Sequence, residues 1–246
     1  INPAMWGIFF EDINFGADGG LYAELVKNRS FDFPEALMGW QTYTKRGGAG
    51  SARVEQAKPV SPQNPNYLRL NSGGGWGFGV VNEGFRGIGL KRGENYALSF
   101  YARNPSARNP VLRVDLLGPG DRVLATTKFR KFDSNWGKCS AVLEATATEA
   151  KARLAVSLEG PGTLDLDFIS LFPQKTWKNR PGGLRADMVQ LLADLKPGFL
   201  RFPGGCVTEG LTLQTNVLHG TGVAFLRMEL DVKAPVFVGD TITCVV

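Results

Sequence analysis

Two carboxylates, Asp115 and Glu159, stand in short stretches where apolar and polar residues alternate. Successive side chains of a strand point to opposite faces. In Val111–Leu117 that puts Val114 and Leu116 inward and Arg113 and Asp115 outward. In Ala152–Leu158 it puts Leu154, Val156 and Leu158 inward, with Arg153, Ser157 and Glu159 outward. In Tyr96–Ala102 it puts Leu98, Phe100 and Ala102 inward, with Ser99, Tyr101 and Arg103 outward. If these strands are neighbours on one concave sheet, Tyr101, Arg103, Arg113, Asp115 and Glu159 line one groove. Trp76, Phe78 and Trp136 are the aromatic residues available as platforms at its rim. Aromatic faces with planar polar side chains beside them suit a polyhydroxylated ligand. Two carboxylates across such a groove add a chemical option: one, with its pKa raised among apolar walls, gives a proton while the other stays ionised. The alternative is a solvated outer sheet face with its tryptophans in the core.

The elements that would carry these residues are strands. Leu164–Phe172 is a fourth such run. Lys91-Arg92-Gly93-Glu94, Asn104-Pro105-Ser106, Gly118-Pro119-Gly120-Asp121 and Gly160-Pro161-Gly162 punctuate them. Strands at this spacing, with no long helical pattern between them, predict a mainly β fold, an antiparallel sandwich or jelly roll. Asp165 and Asp167 share one face of the fourth strand, where a structural role is expected.

The two ends read differently. Gly7–Asn14 is an apolar strand closing on Glu11 and Asp12. Gly19–Arg29 has helical spacing, with Leu21, Tyr22, Leu25 and Val26 on one side. Leu184, Met188, Leu191, Leu192 and Leu195 give a second amphipathic helix, stopped by Lys196-Pro197-Gly198. Phe199–Gly205 is then a strand and its turn. This is a parallel β/α pattern interrupted by the sandwich, and such folds place their chemistry at strand C-termini.

Composition narrows the class. The 246 residues are 43% hydrophobic and 21% charged, the balance of a soluble globular protein. No apolar run spans a bilayer. A net charge of +5, with Lys and Arg scattered, lacks the clustered stripe of a nucleic-acid surface, so no nucleic-acid or membrane partner is expected. Cys139, Cys206 and Cys244 are too few and too scattered for a disulfide framework or a zinc motif. The single histidine, His219, excludes a multi-histidine metal site and has no nucleophile motif beside it. The first residue is Ile1 and no initiator Met, which suggests trimming.

Phe9-Phe10-Glu11-Asp12-Ile13-Asn14 and Leu200-Arg201-Phe202-Pro203-Gly204-Gly205-Cys206 resemble the N-terminal part of glycoside hydrolases of family 51, the α-L-arabinofuranosidases and some endoglucanases. The sandwich between them resembles the jelly-roll carbohydrate-binding module that some of these enzymes carry. The resemblance divides the chain into a barrel-derived segment (1–34), a jelly-roll β-sandwich (35–175), a second barrel-derived segment (176–210) and an unrelated tail (211–246). Residues Thr221–Val246, chiefly Lys233–Thr241, are similar to a piece of a hotdog-fold acyl-CoA hydratase or thioesterase. The fold class implied is a jelly roll wrapped by segments of an incomplete (β/α) barrel.

The resemblance also implies a division of labour. Family members work with an acid/base and a nucleophile, about 5 Å apart in retaining enzymes, on later barrel strands than this sequence supplies. Glu11 matches a position that binds sugar hydroxyls, and Cys206 one that contacts substrate. Asn82-Glu83-Gly84 imitates the family's acid/base pair but lies within the sandwich. Jelly-roll sugar modules often hold calcium near their last strand, and Asp167 with Asp32 resembles that arrangement; no other cofactor is required. The expected function is a secreted glycoside hydrolase acting on plant cell-wall polysaccharide, a β-1,4-glucan or xylan, with its site in the jelly-roll groove. The alternative is a non-catalytic binding module. The apolar faces of the barrel-derived pieces need cover, either by an N-terminal arm wrapped on the sandwich or by pairing of two chains.

Overall fold

The computed structural model describes residues 2, 5–11, 14–44, 47–74, 77–106 and 108–201. Two antiparallel sheets carry the chain. The first has the order β10 (Gly137–Glu144), β7 (Asn95–Arg103), β12 (Gly162–Pro173), β4 (Tyr67–Gly74), β3 (Ala49–Glu55). The second has the order β2 (Trp40–Thr44), β5 (Phe78–Asn82), β11 (Glu149–Glu159), β8 (Val111–Leu117), β9 (Val123–Phe129), with β6 (Ile88–Leu90) also on β11. This is the jelly-roll sandwich that the alternating runs predict, and all four expected strands are present.

The alternation sorts the side chains as expected. Val114, Leu116, Leu154, Val156 and Leu158 of the second sheet are buried against Leu98, Phe100, Leu68, Leu70, Leu166 and Leu171 of the first. Each fully buried Leu, Val or Phe removes enough apolar surface from water to contribute about 1.5–3 kcal/mol. The turns follow their residues. Between β8 and β9, Gly120 and Asp121 take φ of 63° and 58°, and the Gly118 N–H donates to Arg122 O at 2.8 Å. Gly160 and Gly162, both at positive φ, carry the chain from the second sheet to the first.

The ends come together outside the two sheets. β1 (Ile8–Phe9) pairs parallel with β13 (Leu200–Arg201), the pairing a β/α pattern requires. The predicted second helix is α1 (Ala186–Asp194). It buries Val189 but leaves Leu191 and Leu195 exposed, along with Met5, Trp6, Phe9, Phe199 and Leu200.

The helix expected over Gly19–Arg29 does not form. The Leu21 N–H donates to Gly16 O and the Tyr22 N–H to Ala17 O, closing a turn, after which the chain runs extended. The Leu25 N–H donates to Leu171 O, and the Ile169 N–H donates to Arg29 O, so the segment lies along the half of β12 that β4 leaves unpaired. Ala23 and Val26 are buried, and Val26 and Phe31 enter the sandwich core. Tertiary burial overrides local helical periodicity here. The N-terminal segment is therefore an arm, built partly into the jelly roll rather than standing apart from it.

Candidate functional site

The expected single groove is two surfaces. β7 lies in the first sheet and β8 and β11 in the second. Tyr101 and Arg103 thus sit on the outer side of one sheet, and Arg113, Asp115 and Glu159 on the outer side of the other.

On the second sheet the register places Arg113 opposite Ser157 and Lys128, and Asp115 opposite Ala155 and Thr126. Asp115 is 1% exposed. Its two oxygens accept from Arg113 Nε at 2.9 and 2.8 Å. Arg113 Nη1 reaches Glu159 at 3.5 Å, and Lys128 Nζ donates to the other Glu159 oxygen at 2.9 Å. Asp115 and Glu159 are brought together as expected, but through a shared guanidinium. Its bonds to Asp115 push the Arg113 pKa upward. Beside them Tyr43, Val81, Leu117 and Ala155 form a small buried cluster on the same outer side. Phe78 is 5% exposed, with its ring over Gly50, so it belongs to the core and not to a rim. Trp76 lies outside the described residues, as do Cys206, His219 and Cys244.

On the first sheet Arg103 is committed to a buried network. Its guanidinium bonds Asp165 at 2.6 and 3.1 Å, and Arg69 grips the same carboxylate at 2.7 and 2.9 Å. Asp165 has no exposure, the structural role expected of it. Arg103 also stands 4.8 Å over the Trp136 ring, and Trp136 Nε1 donates to Lys58 O at 2.9 Å. Tyr101 is half-buried and meets Phe168 edge-on. One face of the Trp136 ring is thus covered by a guanidinium.

Asp167 is also fully buried. Its Oδ1 accepts from the Phe168 N–H, while Oδ2 has no hydrogen-bond partner. Desolvation, with the Asp32 charge nearby, pushes its pKa up to about 8. Asp32 accepts from Asn64 and Asn66 at 3.0 and 2.9 Å. An orphaned carboxylate oxygen facing a second carboxylate is the donor chemistry of a hard cation. Among the described residues no cluster of three or more acidic, His or Cys side chains completes it. A Ca²⁺ there would need amide or backbone oxygens as well.

Glu11 follows β1 and belongs to neither sheet of the sandwich. Asn82 is fully buried and ties the arm down: it accepts from the Lys27 and Gly84 N–H groups and donates to Lys27 O. It is a structural residue, not half of an acid/base pair.

The cleft itself was not anticipated. It has a volume of about 660 Å³ and lies where the arm, the turn after β5 and the start of β11 meet. Lys27, Glu35 and Gln41 line one side, Glu83, Phe85 and Arg86 another, and Lys151 and Arg153 a third. Gln41 and Arg153 also belong to the outer face of the second sheet, so cleft and face are continuous. The signal available in the sequence was the turn Glu83-Gly84-Phe85-Arg86-Gly87, an aromatic and a guanidinium between glycines. Gly87, at φ +100°, lets the turn lie against the Lys151 stem.

The family model of a Carbohydrate binding domain matches residues 23–163, more than half of the chain. This chain belongs to that family. The match begins at Ala23, where the arm first enters the sandwich. Over 218 residues the chain is 39% identical to the extracellular exo-α-L-arabinofuranosidase of Streptomyces chartreusis, covering 85% of this chain and 25% of that one. It is 36% identical to α-L-arabinofuranosidase 1 of Arabidopsis thaliana, covering 85% of this chain and 32% of that one. Among solved structures it superposes on an arabinose-bound family-51 α-L-arabinofuranosidase with a TM-score of 0.75 and 34% identity, over 82% of this chain and 34% of that one. The carbohydrate-binding domain thus sits in a chain akin to glycoside hydrolases, and the chain spans about a quarter to a third of these relatives. Nothing in these matches supports the hotdog likeness of the tail, which lies outside the described residues.

Proposed function

We propose that this chain is a polysaccharide-binding part of an α-L-arabinofuranosidase-type glycoside hydrolase. It holds plant cell-wall polysaccharide in the cleft and along the adjoining outer face of the second sheet. The observation that carries this reading is the Arg113 guanidinium shared by Asp115 and Glu159. It fixes a row of hydrogen-bonding groups on this face, an arrangement suited to sugar hydroxyls. The cleft adds concavity, with the mixed apolar and polar lining typical of small-ligand sites. The xylan or glucan backbone expected from the sequence is the first ligand class to offer. Secretion is part of the proposal, supported by the extracellular relative. So is a structural Ca²⁺ held by Asp167 and Asp32, supported by the orphaned Asp167 oxygen; it would neutralise two facing carboxylates and fix the bulge of β12.

The test is affinity electrophoresis of the whole chain in gels containing arabinoxylan, xylan or carboxymethyl-cellulose. Retardation by at least one polymer, weakened in Gln41→Ala, supports the reading. Free migration in all of them overturns it. The catalytic alternative, hydrolysis in the jelly-roll groove, requires reducing-sugar release that Asp115→Asn or Glu159→Gln abolishes.

A further inference from the structure

We infer that the cleft prefers a carboxylated saccharide, a uronate-bearing polymer, over a neutral one; this rests on the binding reading above and names its ligand class. Arg86 and Lys151 stand on adjoining walls and are tied together: Lys151 Nζ donates to the Arg86 backbone carbonyl at 2.7 Å. Gly87 keeps them close, because a Cβ there would fall 2.8 Å from Lys151 Cδ. Among the described residues neither cation is ion-paired, whereas Arg153, further along the cleft, is neutralised by Asp121 at 2.6 Å. The Glu149 carboxylate beside them accepts from the Lys151 backbone N–H at 2.9 Å. Two cationic side chains in one cleft attract an anionic group, which accepts charge-assisted hydrogen bonds from them. A guanidinium is also the planar fork that matches a carboxylate. Glu35 and Glu83, also in the lining, are acceptors suited to the hydroxyls of the same chain. A phosphate or sulfate would satisfy the cations equally but not the long polar lining, which a sugar chain fills.

The experiment compares a glucuronate-bearing xylan with the same polymer after carboxyl reduction, using the full chain in affinity gels and calorimetry at low salt. The inference predicts roughly tenfold tighter binding of the carboxylated polymer, as expected when about one charge-assisted contact is added. That preference shrinks toward unity in 0.5 M salt and in Arg86→Gln/Lys151→Gln, and persists in Arg92→Gln, a cation outside the cleft. Equal binding of both polymers overturns the inference and leaves the binding function standing. Binding of neither overturns the function itself. A preference that survives in the double variant overturns the assignment to this cleft. Arg86 is exposed and Lys151 lies at a strand start, so the variants should fold, and unchanged melting checks that.

Discussion

Arg113 Nε lies 2.9 and 2.8 Å from the two oxygens of Asp115, a carboxylate that is 1% exposed on the outer side of the second sheet. Residues two apart on a strand share a face, so the spacing alone sets both side chains on this side of the sheet. The pair decides what the face can do. Breaking a buried pair of this kind leaves an uncompensated charge. Asp115→Asn should therefore destabilise the fold by about 2–4 kcal/mol in urea denaturation. Arg113→Leu/Asp115→Leu, which removes both charges, should cost less than either partner removed alone. A single variant at wild-type stability would contradict the burial argument.

A second prediction concerns Asp165, which receives Arg69 and Arg103 from opposite sides with no exposure. Two guanidinium groups converge on one carboxylate, and Tyr67 and Trp136 pack around them. Asp165→Asn keeps the shape and leaves both cations short of charge. The expected loss is about 3–5 kcal/mol, read by thermal or chemical denaturation. Because Arg103 and Trp136 serve this network, Trp136→Ala should lower stability more than it lowers polysaccharide affinity.

A third prediction follows from the arm. Glu24 is 1% exposed and accepts from the Val26 and Leu171 N–H groups, both at 3.0 Å, from Ser170 Oγ at 2.5 Å and from Arg29 at 3.3 Å. Burial raises its pKa from 4.5, and the bonds from Ser170, Leu171 and Val26, with the Arg29 charge, pull it down by less. The folded state then holds the Glu24 proton more tightly than the unfolded chain. The resulting stabilisation is complete below the ordinary value of 4.5 and is lost as pH rises through the folded value. Against a Glu24→Gln reference, wild type should lose relative stability as pH rises from below 4.5 through the raised folded value. A gap between the two that is constant with pH would contradict this. Glu24→Ala, which removes every acceptor, should cost about 3 kcal/mol at neutral pH and loosen the arm.

A fourth prediction addresses Asp167 and Asp32. If they hold Ca²⁺, adding the ion should raise the melting temperature and a chelator should lower it, with about 2.7 kcal/mol gained at a hundredfold excess over the dissociation constant. Asp167→Asn should abolish the response. Melting that ignores both calcium and chelator would make the pair a buried carboxylate contact without a metal.

Much of the fold was legible in the sequence because strand alternation is a local signal. Leu98, Val114, Leu154 and their neighbours announce their faces by spacing alone, and the turn residues mark the strand ends. The parallel pairing of Ile8–Phe9 with Leu200–Arg201 was legible in the same way, as was the helix near Met188. Sheet membership was not. β7 and β8 are adjacent in the chain yet lie in different sheets, so Tyr101 and Arg103 part from Arg113 and Asp115. Alternation gives a side, not a sheet. The arm was misread for a related reason: Leu21, Leu25 and Val26 fit a helix, but β12 offers an unpaired edge and the sandwich a gap that Val26 and Phe31 fill. The cleft escaped notice because three distant segments make it, around residues 27–41, 83–87 and 151–153. Only the glycine-flanked Phe85-Arg86 hinted at a surface built for contact.

The central claim is that this chain grips polysaccharide without cutting it at Asp115 and Glu159. It is tested most directly by incubating the purified chain with soluble arabinoxylan and measuring reducing ends, while a parallel gel containing the same polymer measures retardation. The account predicts retarded migration and no new reducing ends. Release of oligosaccharides by wild type, abolished in a folded Asp115→Asn variant, would contradict it and move the chemistry onto the sandwich.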